Sequence, residues 1–266
     1  MAIHFPDIDP VAFSIGPLDI RWYALSYITG FILGYIYCIW LLKKICSHAN
    51  KITADHLDAL LLWLIIGVIL GGRSGYVLFY NAPYFLSHPV EIFYIHHGGM
   101  SFHGGLLGAG ISLYLFSKVH KVSFLALSDL VAAAAPIGLF FGRIANFINA
   151  ELYGRTSSLP WAVIFPNGGD VPRHPSQLYE ALLEGLVLWL VMLIFILKNN
   201  AIDRKGQLTG LFLAGYGIMR FIVEFFRLPD AQIGFIFEIF TMGQILCLPM
   251  IFLGLWLIYY QSKKTT

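Results

Sequence analysis

Seven stretches of this chain are apolar over roughly the length that crosses a lipid bilayer, and they leave little sequence for anything else. They fall at about Trp22–Leu42, Leu57–Tyr80, Phe102–Phe116, Phe124–Phe141, Leu178–Leu197, Leu208–Phe226 and Ile239–Tyr260. A span needs about 20 mostly apolar residues, and in hydrocarbon a helix satisfies all its backbone groups internally. The composition agrees: 58% of residues are hydrophobic and 12% charged, against roughly 25% charged in a soluble domain. The expectation is an all-α polytopic membrane protein of about seven transmembrane helices. It forms one integral-membrane domain over residues 1–266, with a polar stretch at about 143–177.

A net charge of +2 is too small to argue for nucleic acid as a partner. Cys38, Cys46 and Cys247 are scattered, with no CxxC and no His/Cys cluster at ligand spacing, so neither a metal nor a structural disulfide is expected. The N-terminal MAIHFPDIDPVAFSIGPLDI lacks a basic region followed by an apolar core and does not read as a cleavable signal peptide. It reads as an extended or interfacial segment before the first span.

The basic residues orient the chain. With the N-terminus outside, the connections after spans one, three, five and seven face the cytoplasm. They carry Lys43, Lys44, Lys51, Lys118, Lys121, Lys198, Arg204, Lys205, Lys263 and Lys264, which includes every lysine in the chain. That satisfies the positive-inside rule and puts the C-terminus in the cytoplasm. The outer loops and the spans hold only arginines: Arg21, Arg73, Arg143, Arg155, Arg173, Arg220 and Arg227. Arginine holds phosphate or carboxylate through paired N–H donors in a partly dry place, so the outer half reads as a site for an anionic group. The alternative is that each arginine simply snorkels to the interface.

Two polar constellations sharpen this reading. GRIANFINAELYGR, Gly142 to Arg155, packs two arginines, two asparagines and a glutamate into the end of an apolar run, where charge is expensive. If helix continues through it, Arg143, Asn146 and Ala150 share a face, and Gly142 and Gly154 permit a turn or a close backbone approach. In the sixth run Tyr216, Arg220, Glu224 and Arg227 recur at intervals of four, four and three, again one helix face. Two arginines against one glutamate leave a surplus positive charge there. The competing reading is an ion pair that only holds helices together.

HHGGMSFHGG opens the third run, and its His103, flanked by glycines, is the histidine best placed as a general base near neutral pH. His96 and His97 remain ambiguous. GGRSGY, Gly71 to Tyr76, contains the Gly-x-Ser-Gly nucleophile pattern of rhomboid-type intramembrane proteases, with Ser74 as nucleophile. Small-residue helix packing explains it better, because peptide hydrolysis has no use for the arginines.

GRIANFINAELYGR resembles the signature of the prolipoprotein diacylglyceryl transferase family. The similarity extends through FSIGPLDIRWYAL, GGRSGY, GGMSFHGG, RHPSQLYEA and YGIMRFIVEFFRLPD, in that order along the chain. The resemblance implies a bacterial inner-membrane enzyme with its active site toward the periplasm. Such an enzyme moves the diacylglyceryl group of phosphatidylglycerol onto the thiol of a preprolipoprotein's lipobox cysteine, forms a thioether and releases glycerol-1-phosphate. On that footing Arg143 and Arg220 bind and polarise the phosphate, Asn146 and Glu151 orient the first, and Glu224 orients the second. His103 deprotonates the thiol, and Tyr23, Tyr216, Gly154 and Arg227 complete the headgroup site. No cofactor or metal is implied; the partners are phosphatidylglycerol, the lipobox signal peptide and the surrounding lipid.

Overall fold

A computed structural model of the chain describes residues 3–44, 52–79, 82–94, 99–199, 201–229, 235–236 and 240–263. Short strands β1 (Ile3–His4), β2 (Val11–Ile15) and β3 (Leu18–Arg21) precede helix α1 (Trp22–Lys44). Helix α2 (Ala54–Phe79), the short α3 (Ala82–Ser87) and a 3-10 turn at Pro89–Phe93 come next, followed by α4 (Phe102–Val119) and α5 (Phe124–Ile148). An irregular segment with β4 (Val163–Ile164) leads to a helix in three parts: α6 (Ser176–Glu180), a π-helical stretch (Ala181–Val187) and α7 (Leu188–Asn199). Helix α8 (Gln207–Val223), strands β5 (Phe235–Ile236) and β6 (Phe240–Thr241), and helix α9 (Met242–Lys263) follow.

The protein is a mostly helical, polytopic membrane protein. Among the described residues, five helices are long and apolar enough to cross a bilayer, and Gly104–Val119 and Gln207–Val223 are shorter apolar helices. At about 1.5 Å per residue, the latter two reach about 24–26 Å, close to a hydrocarbon core of about 30 Å. The fourth apolar run extends further than its hydropathy suggests: α5 continues to Ile148, so the first half of GRIANFINAELYGR is helix. Ala150 lies past the helix end at φ 52° and so leaves the face that Arg143 and Asn146 share.

The chain divides into two compact units, Met1–Ile45 with Asp129–Thr266, and Cys46–Ser128. In the Cys46–Ser128 unit, α2 and α4 pack through glycines. A side chain on Gly108 would fall onto the Gly67 carbonyl, and one on Gly104 onto that of Gly71. Such four-residue spacing of small residues lets membrane helices approach backbone to backbone. Gly75 continues this contact against Gly104 and the Ser101 side chain, and Gly72 faces the end of the Met100 side chain. The Gly-x-Ser-Gly pattern is thereby accounted for by packing, with Ser74 left on the exposed side. Arg73 is buried and donates to the carbonyls of Ile92 (2.8 Å), Glu91 (2.6 Å) and Gly99 (3.1 Å). It therefore holds the connection between α2 and α4.

In the larger unit, β2 and β3 form an antiparallel hairpin. Its turn is Gly16-Pro17, with Gly16 at φ 59°, the positive φ that the first position of a tight hairpin turn demands. Parallel pairing of β1 with β4 lays the N-terminus on the segment after α5. There Ala150, Val163 and Phe165 form a small buried core, with Phe5, Phe147 and Tyr153 packed against it. The polar stretch of the sequence is thus an ordered cap built on aromatic contacts. At the other end of α5, Asp129 is fully buried and accepts from the backbone N–H groups of Gly206 (2.5 Å) and Thr209 (2.7 Å), and from the Thr209 hydroxyl (2.7 Å). A carboxylate there satisfies donors that open the start of α8 and fixes α8 against α5. α8 and α9 close on each other at Gly210 and Gly254.

Candidate active site

The larger unit gathers its buried charges where the end of α5, the α6–π junction and the end of α8 meet. Arg143 Nη2 lies 2.9 Å from Glu180 Oε2, and Arg220 Nη1 lies 2.6 Å from the same oxygen. Glu184 stands behind both, 3.8 Å from Arg143 and 3.5 Å from Arg220. Glu224 Oε1 takes Arg220 Nη2 at 2.7 Å and Arg227 Nη1 at 3.3 Å. Two guanidiniums that sequence places in different helices are therefore joined through one carboxylate oxygen.

Glu180 and Glu184 belong to neither polar constellation of the sequence, and they correct the charge surplus expected of the sixth run. Three arginines (143, 220, 227) meet three glutamates (180, 184, 224), so the cluster's formal charges cancel. The sequence signal was two glutamates at a four-residue interval inside an apolar run. The π-helical stretch that carries Glu184 widens the helix locally, a device frequent at functional sites. Gly185 lets it approach α5: a Cβ there would stand 2.7 Å from Phe140 Cβ and 2.8 Å from its Cα.

Cancellation of charge does not mean equal access. The arginine side chains of residues 143, 220 and 227 are 19%, 11% and 15% exposed, whereas those of Glu180, Glu184 and Glu224 are 0%, 0% and 3% exposed. The carboxylates are thus the more deeply buried members of the cluster, and the arginine side chains keep what exposure it has. Buried carboxylates hold the forks in fixed orientations, as a preorganised anion site requires.

Arg143 has a second support on its own helix. Its Nη1 donates to Asn146 Oδ1 at 3.4 Å, and Asn146 Nδ2 donates to Glu151 Oε1 at 2.8 Å. Tyr23 interacts with Asn146 and its hydroxyl lies 3.2 Å from that of Tyr27. Tyr216 stacks on Phe212 with centroids 5.7 Å apart, and Glu184 and Arg220 are its electrostatic neighbours. Gly154 serves the backbone: it bridges to Arg227, its N–H donates to the His174 carbonyl at 2.9 Å, and a Cβ there would collide with Phe226 and His174. His103 falls in the first turn of α4, in the Cys46–Ser128 unit, but its side chain is outside the described set. His96 and His97 lie outside the described residues.

Beside the cluster is an apolar recess of about 300 Å³ lined by Leu159, Trp161, His174, Tyr179, Leu183, Val223 and Phe226. Tyr179 accepts a hydrogen bond from Trp161 Nε1 at 2.7 Å and pairs with His174 Nδ1 at 3.2 Å. Burial, and then the nearby Arg155 guanidinium, lower the His174 pKa from its ordinary value. Among the described residues no group of three or more His, Cys, Asp or Glu side chains is arranged to hold a metal ion.

The family described as prolipoprotein diacylglyceryl transferase matches residues 10–260 of the chain. Phosphatidylglycerol–prolipoprotein diacylglyceryl transferase of Azospirillum brasilense is 54% identical over 266 residues, 99% of this chain and 98% of that protein. The protein of the same name from Idiomarina loihiensis is 54% identical over 261 residues, 98% of this chain and 96% of its own length. That from Methylocella silvestris is 50% identical over 264 residues, 98% and 97% of the two chains. At that identity and coverage, the arginines drawn together at the ends of α5 and α8 are those of a member of the prolipoprotein diacylglyceryl transferase family, to which this chain belongs.

Proposed function

We propose that this protein transfers the diacylglyceryl group of phosphatidylglycerol to the thiol of the lipobox cysteine in preprolipoproteins. The observation that carries the chemistry is the cluster itself, three partly exposed arginine side chains held by carboxylates that are almost wholly buried. In the reaction the cysteine sulfur forms a bond to the glycerol carbon of the diacylglyceryl group. The bond from that carbon to the phosphate oxygen breaks, and its electron pair leaves on that oxygen as glycerol-1-phosphate. The thiol proton goes to a base. Negative charge thus grows on the leaving phosphate, where Arg143 and Arg220 present N–H donors whose positions cost no reorganisation at that moment.

Glu180 and Glu224 orient those two arginines, and Asn146 relays Glu151 onto Arg143. Tyr23, Tyr216 and Arg227 contact or frame the headgroup, and Gly154 keeps the backbone close enough for Arg227 to take part. His103 is the base for the thiol, whose ordinary pKa of about 8.5 leaves only a few per cent thiolate at pH 7. The chain is one integral-membrane domain of seven spans in the bacterial inner membrane, with its N-terminus and active site on the periplasmic side.

Purified protein supplied with phosphatidylglycerol and a lipobox peptide tests the reading. The peptide gains the mass of a diacylglyceryl group, and glycerol phosphate appears in equal amount. Folded protein that yields neither product overturns it, and movement or binding of lipid without covalent product points to a carrier instead.

A further inference from the structure

Arg155 closes the GRIANFINAELYGR motif, yet the transfer chemistry above gives it no task. Its surroundings do. Arg155 Nε donates to the carbonyl of Arg227 at 2.8 Å, and its Nη2 donates to the carbonyl of Glu224 at 3.1 Å. Its own N–H donates to the Phe226 carbonyl at 2.9 Å, and its carbonyl accepts from the His174 N–H at 3.0 Å. Gly154, one residue earlier, bridges to Arg227. Helix α8 ends at Val223, and the N–H groups of residues 224 to 227 fold back onto the carbonyls of its last turn, so the Glu224 and Arg227 carbonyls stand outside the helical ladder and must find donors elsewhere. A fork of N–H donors bearing a full positive charge satisfies both at once.

The turn that Arg155 grips is the one whose side chains enter the charge cluster. Glu224 Oε1 receives Arg220 at 2.7 Å and Arg227 at 3.3 Å, and Gly243 leaves the room its carboxylate occupies. We infer that Arg155 is a positioning residue for the transferase reaction: by fixing the Glu224–Arg227 turn it sets the orientation of the Arg220 guanidinium. The two halves of the motif then have separate tasks. Arg143 and Asn146 stand on the end of α5, and Arg155 reaches across to tune the arginine of α8. The inference rests on the proposed transfer reaction for its kinetic readout.

A lysine at 155 keeps the charge but cannot reach both carbonyls as a fork. Misplacement of a catalytic group by about 1 Å costs about 100-fold in rate, so Arg155→Lys is expected to lower kcat by about 10- to 100-fold. KM for phosphatidylglycerol changes far less. Groups acting through one another are non-additive, so Arg155→Lys added to Glu224→Gln costs less than about threefold more. Wild type is assayed first, and its failure to make product overturns the function and not this inference. Side-chain 15N spectra of arginine-labelled protein read the inference without turnover. The Arg220 Nε resonance moves in Arg155→Lys and in Glu224→Gln, and stays in place in Arg204→Lys. An unmoved Arg220 resonance in Arg155→Lys, or full additivity with Glu224→Gln in an active enzyme, overturns the proposal.

Discussion

Glu180 shows how a single carboxylate organises the site. It is fully buried, and one of its oxygens faces both Arg143 at 2.9 Å and Arg220 at 2.6 Å. Removing one partner of a buried ion pair costs about 3–5 kcal/mol because the other charge is left stranded. Glu180→Gln is therefore expected to lower the thermal midpoint in detergent by several degrees, and Asp170→Asn, on the exposed loop, leaves it unchanged. Arg143→Lys tests the fork rather than the charge. It forfeits one charge-assisted hydrogen bond of about 1.5–3 kcal/mol and should reduce kcat/KM by about 10- to 100-fold; full activity in that variant removes the bidentate role. His174 supplies a pH test. Its folded pKa is lowered by burial and by Arg155, so the unfolded chain binds the proton more readily. Stability is fully present above the ordinary histidine value of about 6.5 and is lost as pH falls below it. His174→Gln should flatten the dependence of the melting midpoint between pH 7 and 5. The sequence disclosed the arginines, Asn146, Glu151 and Glu224 because each pairs with a neighbour on its own helix or turn. Glu180 and Glu184 are not legible that way, because their partners lie on other helices and periodicity within one helix is silent about what faces it.

Elements were legible in proportion to their apolar length. Runs became helices, but hydropathy could not see α5 continuing through polar residues to Ile148, because the helix there is sustained by packing against the aromatic cap. The N-terminal hairpin was also hidden, since its five- and four-residue strands carry too short a pattern to distinguish from an extended lead. The π-helical stretch at Ala181–Val187 left no periodic mark of its own. Its fit against α5 depends on Gly185, where an added methyl meets Phe140 Cα at 2.8 Å. Gly185→Ala is expected to destabilise the protein by about 1–3 kcal/mol, the usual cost of overpacking, and to reduce turnover as Glu184 and Glu180 shift away from the arginines. Gly110→Ala is the matched control, because a Cβ there meets nothing within 4 Å, and its midpoint should hold or rise slightly. Equal melting midpoints for the two variants would show that the close approach to α5 is dispensable.

At the scale of the whole molecule the segregation of lysine from arginine is the strongest global signal, and it makes the proposed orientation testable across one candidate span. The helix from Ser176 to Asn199 is 24 residues long, about 36 Å at 1.5 Å per residue, enough to separate its ends by a hydrocarbon core of about 30 Å. Asn167 precedes it on the exposed surface of the polar cap, and Lys198 lies exposed in its last turn. In a background with Cys38, Cys46 and Cys247 replaced by alanine, Asn167→Cys and Lys198→Cys each place one thiol beside one end of that helix. A membrane-impermeant maleimide added to cells with a permeabilised outer membrane should label Asn167→Cys at once. Lys198→Cys should label only after the inner membrane is broken. The opposite pattern would put the lysines outside and the arginine cluster toward the cytoplasm, where a secreted acceptor peptide's cysteine would not reach it. Labelling of both thiols in intact inner membranes would mean that the Ser176–Asn199 helix does not span at all.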